Sequence, residues 1–137
     1  MEIVIKNNRF VGRIYNMDSF LEMPLKNIRK LWKLMFAEAW RNEDSIENLK
    51  QWFINTHGRL GWEIETREWE LAHAVQCAEE ARRVKESFGS VATKEVNEAA
   101  REARKAAKHA EDMCKRAKRE FQKYEKLKAL FQELNPV

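Results

Sequence analysis

The chain has 137 residues, of which 44% are hydrophobic and 35% charged, with 4 Gly and 2 Pro. That composition is too apolar for a disordered chain, too poor in Gly and Pro for long irregular stretches, and of a length that suits one domain. The formal net charge of +4 hides a pattern: Lys and Arg outnumber Asp and Glu 8 to 4 over residues 1–41 and 12 to 8 over 91–137, but fall behind 6 to 10 over 42–90.

An acidic middle between basic ends points first to pairing inside the fold and second to nucleic acid. No run approaches the ~18 apolar residues of a membrane span. The opening MEIVIKNNRF lacks the basic and apolar parts of a secretory signal. Cys77 and Cys114 make no disulfide framework and suit a reducing compartment. A protein of the cytoplasm, with no membrane partner, is the expectation.

In chain order, Ile3, Val4 and Ile5 are β-branched and Asn7-Asn8 suits a tight turn, with an alternating stretch Arg9–Tyr15 after it. This predicts a small β-hairpin, which must pack on helices or another chain to be stable. Ser19 and Glu22 have the spacing of a capping box ahead of Pro24. From Leu25, the residues Ile28, Leu31, Trp32, Met35, Phe36, Ala39 and Trp40 recur at three-four spacing, which predicts a helix to about Arg41. Asp44 and Glu47 suggest a cap for a short helix carrying Ile46, Leu49, Trp52 and Phe53, closed at Gly58.

A third helix is expected from about Gly61-Trp62 to Phe88, with Ile64, Leu71, Ala74, Ala78, Ala81 and Phe88 as its stripe and Val75 and Val84 at its edge. Gly89-Ser90 breaks it, and Thr93 can cap a fourth helix that runs to about Leu134 before Asn135-Pro136. The fourth carries two heptad seams. One is Val96, Ala103, Ala110, Ala117, Tyr124 and Phe131; the other is Ala99, Ala106, Met113, Leu127 and Leu134, with a shift suggested at Glu120-Phe121.

The fold class is therefore mainly α: a small N-terminal β-hairpin, two shorter helices, then a long antiparallel, coiled-coil-like helical hairpin. Residues 1–60 form a head and residues 61–137 the hairpin, within a single domain. The last two helices differ in length, roughly 40 Å against 60 Å at ~1.5 Å per residue. Folded back at about residue 91, the longer one overhangs beyond about residue 120. Its large residues Phe121, Tyr124, Leu127, Leu130, Phe131 and Leu134 must then pack on the early elements. A dimer in which the arms exchange partners is the competing arrangement.

For chemistry, there is no Gly-rich phosphate loop, nucleophile elbow or H-E-x-x-H, so no enzyme and no cofactor is expected. His73 and Cys77 share a helix face, with His109 placed opposite by the fold-back, but no fourth ligand joins them and no metal is expected.

Basic faces remain. Arg101, Arg104, Lys105, Lys108, Lys115, Lys118 and Arg119 point away from the seam of the last helix, and Lys26, Arg29, Lys30 and Lys33 share a face of the first. These suit phosphates or an acidic protein surface, although Glu102, Glu111 and Asp112 interrupt the longer stripe. Trp32, Trp52 and Phe53 fall on stripes and read as core. Trp40, Trp62 and Trp69 are the better candidates for exposure; Trp62 and Trp69, seven apart, share a face on which a ligand could stack, with a helix-packing seam as the favoured reading.

The short β start MEIVIKNNRFVGRIYN, Lys-rich helices and lack of a catalytic motif together resemble small phage or prophage accessory proteins. The resemblance implies a helical protein of the host cytoplasm that binds and blocks a host component, bacterial defence systems included. It carries over no functional residue. The expected function is non-enzymatic binding that inhibits or scaffolds a larger host or phage protein, through Trp62, Trp69 and the basic faces. The alternatives are direct nucleic-acid binding by those faces and, after it, a sponge for an anionic signalling nucleotide at an oligomer interface. A homodimer is compatible with each.

Overall fold

The computed structural model describes residues 5–6, 9–10 and 16–135. Strands β1 (Ile5–Lys6) and β2 (Arg9–Phe10) pair antiparallel, with Ile5 opposite Phe10 and Lys6 opposite Arg9. A 3-10 turn over Met17–Leu21 leads to helix α1 (Leu25–Ala37). Helix α2 spans Glu43–Phe88, a second 3-10 turn spans Gly89–Val91, and helix α3 spans Lys94–Leu134. The class is mainly α, as the sequence predicts. The expected turn Asn7-Asn8, the strand residues Glu2–Val4 and Val11–Tyr15, and Pro136 lie outside the described residues.

The largest correction concerns the second of the two shorter helices, which does not exist separately. Gly58 ends nothing, and residues 43–88 form one helix. Both Gly58 and Gly61 sit in its interior, and an added Cβ would meet nothing within 4 Å at either. The cost of each is only about 1 kcal/mol relative to Ala. Against it stands an unbroken three-four series of inward residues, Ile46, Leu49, Phe53, Thr56, Leu60 and Ile64, all buried or half-buried. At Gly89 the break is as predicted, for a conformational reason: its φ of +58° is left-handed, which side-chain-bearing residues rarely adopt.

Smaller corrections follow from capping. Ser19 does not cap a helix with Glu22; its hydroxyl donates to the Asn16 carbonyl at 2.9 Å. Pro24 stands just before α1, and that helix stops at Ala37 rather than Arg41. The residue at the start of α2 is Asn42, not Asp44. Buried there, it donates from Nδ2 to the Met35 and Glu38 carbonyls at 3.3 and 3.0 Å, tying down the end of α1, while Ile46 N–H donates to its own carbonyl. Thr93 caps α3 as expected, its Oγ1 accepting from the Val96 N–H at 3.3 Å.

The chain divides into two compact units. Unit 1 joins Met1–Arg59 to Glu120–Val137. Its core is aromatic: Trp32, fully buried, meets Phe20, Phe53 and Phe131 edge-on at centroid distances of 5.4, 6.2 and 6.3 Å. Tyr124 O–H donates to the Phe53 carbonyl at 2.8 Å, and burial pushes its phenol above the usual range. Strand β2 lies against α1 with Phe10 buried, so the hairpin does find a helix to pack on. The large residues of late α3 therefore pack on the early elements, as their apolar bulk requires.

Unit 2 is Leu60–Arg119. Here α2 and α3 face each other through small residues. Ala100, Cys114 and Ala117 are buried, while Ala74, Ala78, Ala81, Ala103, Ala107 and Ala110 are half-buried. The predicted seam holding Ala103, Ala110 and Ala117 is correct. Its companion is one residue late: Ala100, Ala107 and Cys114 point inward, whereas Ala99 and Ala106 are exposed. Beyond Phe121 the companion reverts to the predicted Leu127 and Leu134, so the seam does shift near Glu120-Phe121. Phe88, expected on the α2 stripe, is exposed.

Candidate binding faces

The described side chains offer three surfaces to a partner. On α1, Lys26, Lys30 and Lys33 are exposed along one face. Arg29, predicted with them, is engaged: its Nη1 donates to Glu133 Oε1 at 2.8 Å. That hydrogen bond holds the Glu133 carboxyl below, and the Arg29 guanidinium above, its ordinary pKa.

On α3, three of the seven residues of the long basic stripe are paired within their own helix. Lys105 lies 3.9 Å from Glu102, Lys108 3.4 Å from Asp112 and Lys115 2.9 Å from Glu111. The Lys115 hydrogen bond lowers the Glu111 pKa, and Glu111 in turn raises that of Lys115. Lys118 reaches across to Glu68 of α2 at 3.3 Å. Among the described residues, Arg101, Arg104 and Arg119 make no ion pair. The interruptions visible in the sequence thus pair three of the seven basic residues.

Arg104 has a further role. It stands at the rim of an open cavity of about 290 Å³ within unit 2, between α2 and α3. Val75, Ala78, Ala100 and Ala107 make its apolar floor, and Glu79, Arg82 and Lys85 join Arg104 around it. The cavity exists because alanines at the seam do not fill the space between two helices. Arg82 is held by Glu79 and Glu86 at 3.6 and 2.8 Å. Lys85, like Arg104, makes no ion pair among the described residues. Sequence reasoning missed Arg82 and Lys85 because they lie in the acidic segment. A fold-back near residue 91 sets residues 82 and 85 opposite 100 and 97, and only the packed helices bring them to the cavity that Arg104 lines.

The third surface is aromatic. Trp62 and Trp69 are 67% and 68% exposed on α2, and Trp69 stacks on His73 at 5.5 Å with planes 2° apart. Trp40 is exposed as well, beyond the end of α1, with Arg41 over its ring at 4.5 Å. Trp32 is core and Trp52 is half-buried, its Nε1 donating to Asp18 Oδ1 at 2.9 Å.

The predicted approach of His73 and Cys77 is present, with Sγ 3.7 Å from Nε2. Among the described residues, no group of three His, Cys, Asp or Glu converges on a common point. A second open cavity, of about 320 Å³ in unit 1, is lined by His57, Phe121, Tyr124, Glu125 and Lys128 and brings no nucleophile beside a base. No helix among the described residues is long and apolar enough to cross a membrane. The chain matches no protein-family model, no curated protein and no solved structure in comparisons with each.

Proposed function

We propose that this chain is a non-enzymatic binding protein of phage type that inhibits or scaffolds a larger host protein. A bacterial defence complex, blocked in the manner of an anti-CRISPR or other anti-defence inhibitor, is the partner that the resemblance to phage accessory proteins favours. The observation that carries the reading is the cavity of unit 2. An apolar floor with Lys85 and Arg104 at its rim suits an acidic amphipathic helix, which seats an apolar side chain on Ala78 and Ala107 and offers carboxylates to the two cations.

The test is a pull-down from bacterial lysate with the tagged chain and with its Lys85→Glu, Arg104→Glu double variant. Both residues are exposed, so the variant keeps its helical circular dichroism. A single protein held in stoichiometric amount by the parent and released by the variant is the expected result. Recovery of no specific protein by the parent would sink the reading.

Direct nucleic-acid binding is the second reading, and the Lys26, Lys30 and Lys33 face favours it, since those three side chains lie exposed together on α1. Such binding weakens steeply with salt, because each phosphate contact releases a counterion. Absence of a mobility shift with duplex and single strands at low salt removes it.

A further inference from the structure

The charges around the cavity of unit 2 do not cancel. Arg82 is paired with Glu79 and Glu86 at 3.6 and 2.8 Å, and Arg83 with Glu79 at 3.6 Å, so these groups neutralise one another. Lys85 and Arg104 line the cavity with no ion pair among the described residues. Two uncompensated cations therefore stand over an apolar floor, in which Ala100 is buried and Val75 is 47% exposed. The cavity thus leaves both charge and apolar area without a partner.

Helix geometry aims the two cations at one point. A fold-back near residue 91 sets Val75 level with Ala107, Ala78 with Arg104 and Arg82 with Ala100, and all of these line the cavity. Lys85 lies seven residues of α2, or about 10 Å, beyond the level of Arg104. Side chains lean toward the N-terminus of their own helix. Because α2 and α3 run in opposite directions, Lys85 leans back toward the level of Arg82 and Arg104 leans toward the level of Ala100, which is the same level. The cations converge from opposite ends on the space above Ala100. From there the floor runs past Ala78 and Ala107 to Val75, again about 10 Å.

We propose that this cavity binds a single-chain amphipathic anion, a carboxylate of about eight to ten carbons. Its head sits between Lys85 and Arg104, and its tail lies along Ala78 and Ala107 toward Val75. Arg104 offers a planar fork to both carboxylate oxygens, and Lys85 a point charge. Glu79 at the rim adds negative charge, which selects a monoanion over a phosphate dianion. The volume of about 290 Å³ stands at the small end of ligand cavities, which begin at ~300 Å³, so a large cofactor does not fit. Tail length follows from the floor: about eight methylenes, extended at C–C bonds of ~1.5 Å, cover about 10 Å. The site is the cavity of the proposed partner contact, but the ligand needs no partner protein. A bound carboxylate takes both cations and so competes with the acidic helix.

Methyl NMR of the purified chain tests the inference, with octanoate titrated to about 5 mM, a range that covers the weak affinity of a small ligand in an open cavity. Saturable shifts of the Val75, Ala78, Ala100 and Ala107 methyls are expected. Affinity should rise about twofold to fourfold for each methylene from hexanoate to decanoate, as the tail extends along the floor, and level off beyond. Octanol and octylamine, which keep the tail and change the head, should bind at least about tenfold more weakly than octanoate. Lys85→Gln with Arg104→Gln should bring octanoate down to the level of octanol. Both side chains are exposed, so this variant keeps the parent's melting temperature, and the head-group series on the parent decides independently of it. Octanoate that shifts none of these methyls, that shifts Ile54 and Ala129 at the unit 1 cavity instead, or that binds no better than octylamine overturns the proposal. A chain that captures a partner from lysate yet ignores octanoate keeps the proposed function and loses this inference; one that binds octanoate and captures nothing does the reverse.

Discussion

Unit 1 and unit 2 are built from the same two long helices but hold them with different chemistry. Around Trp32 in unit 1, rings from the 3-10 turn, α2 and α3 close on an indole with no solvent exposure. In unit 2 the inward positions of α3 are Ala100, Ala103, Ala107, Ala110, Cys114 and Ala117. A buried aromatic removes about 150–250 Å² from water, and an alanine methyl far less. Hydrophobic stabilisation is thus concentrated in unit 1. Unit 2 has Leu60 buried and Ile64 and Leu71 half-buried, is otherwise held by small contacts and exposed ion pairs, and carries Trp62 and Trp69 on its surface.

The sharpest way to break that contrast is to empty the aromatic core. Trp32→Ala should cost about 3–5 kcal/mol of stability, read from denaturant melts. Trp32→Phe should cost much less than that, because the indole N–H of Trp32 has no hydrogen-bond partner among the described residues and its loss leaves nothing unpaired. Amide exchange by mass spectrometry gives the matching comparison in the parent chain. Peptides from residues 60–119 should exchange faster than those covering α1 and residues 120–134, because local opening costs least where little apolar area is buried. Equal protection in both would refute the contrast.

Glycine substitutions come next. Gly58→Ala and Gly61→Ala should each raise stability by about 1 kcal/mol, since both lie inside α2 and the added methyl meets no neighbour. Gly89→Ala should lower it by about 1 kcal/mol, because its positive φ strains any residue with a Cβ. Opposite signs for interior and terminal glycines are the expected pattern in thermal melts. A loss at Gly58 would mean that a bend there matters.

These glycines also show what was legible beforehand. The break at Gly89, the Thr93 cap, the end of α3 and the burial of Trp32 against exposure of Trp62 and Trp69 all follow from local pattern. The continuity of α2 does not follow from composition, because Gly58 beside His57 looks like a helix end. It does follow from spacing once Thr56 is counted as an inward residue, a polar side chain easily passed over. The companion seam on α3 was misread for a different reason. Ala99-Ala100 and Ala106-Ala107 are pairs of identical residues, so hydrophobicity cannot say which member faces inward. The packing partner decides, and it lies on another helix. For the same reason, Lys85 and Arg104 could not be joined into one site from the linear order alone.

A smaller effect is expected at Tyr124. Tyr124→Phe should cost about 0.5–1.5 kcal/mol, because the phenol donates to the Phe53 carbonyl and the change leaves that acceptor unpaired. The sign of its pH dependence can be worked out. Burial raises the folded-state pKa, so the stabilisation is intact below the unfolded value near 10 and is lost as pH rises from there through the folded value. The parent should therefore lose stability above about pH 10 more steeply than the Phe variant. Parallel alkaline melting curves would show that the phenol is solvated.

The smallest expected effects lie in the exposed ion pairs, and there the two units should behave alike. Glu133 in unit 1 and Glu111 in unit 2 both have lowered pKa values, the first through Arg29 and the second through Lys115. A lowered carboxylate pKa stabilises the fold above the unfolded value of about 4.3, and that contribution disappears as pH falls through the folded value. Solvent screens both pairs, so Arg29→Ala and Lys115→Ala should each leave the melting temperature at pH 7 nearly unchanged in moderate salt. What either variant loses should shrink further as pH falls through the folded-state values and the two carboxyls become protonated. If Lys115→Ala instead destabilised strongly at pH 7 while Arg29→Ala did not, charge rather than small-residue packing would be what holds unit 2 together.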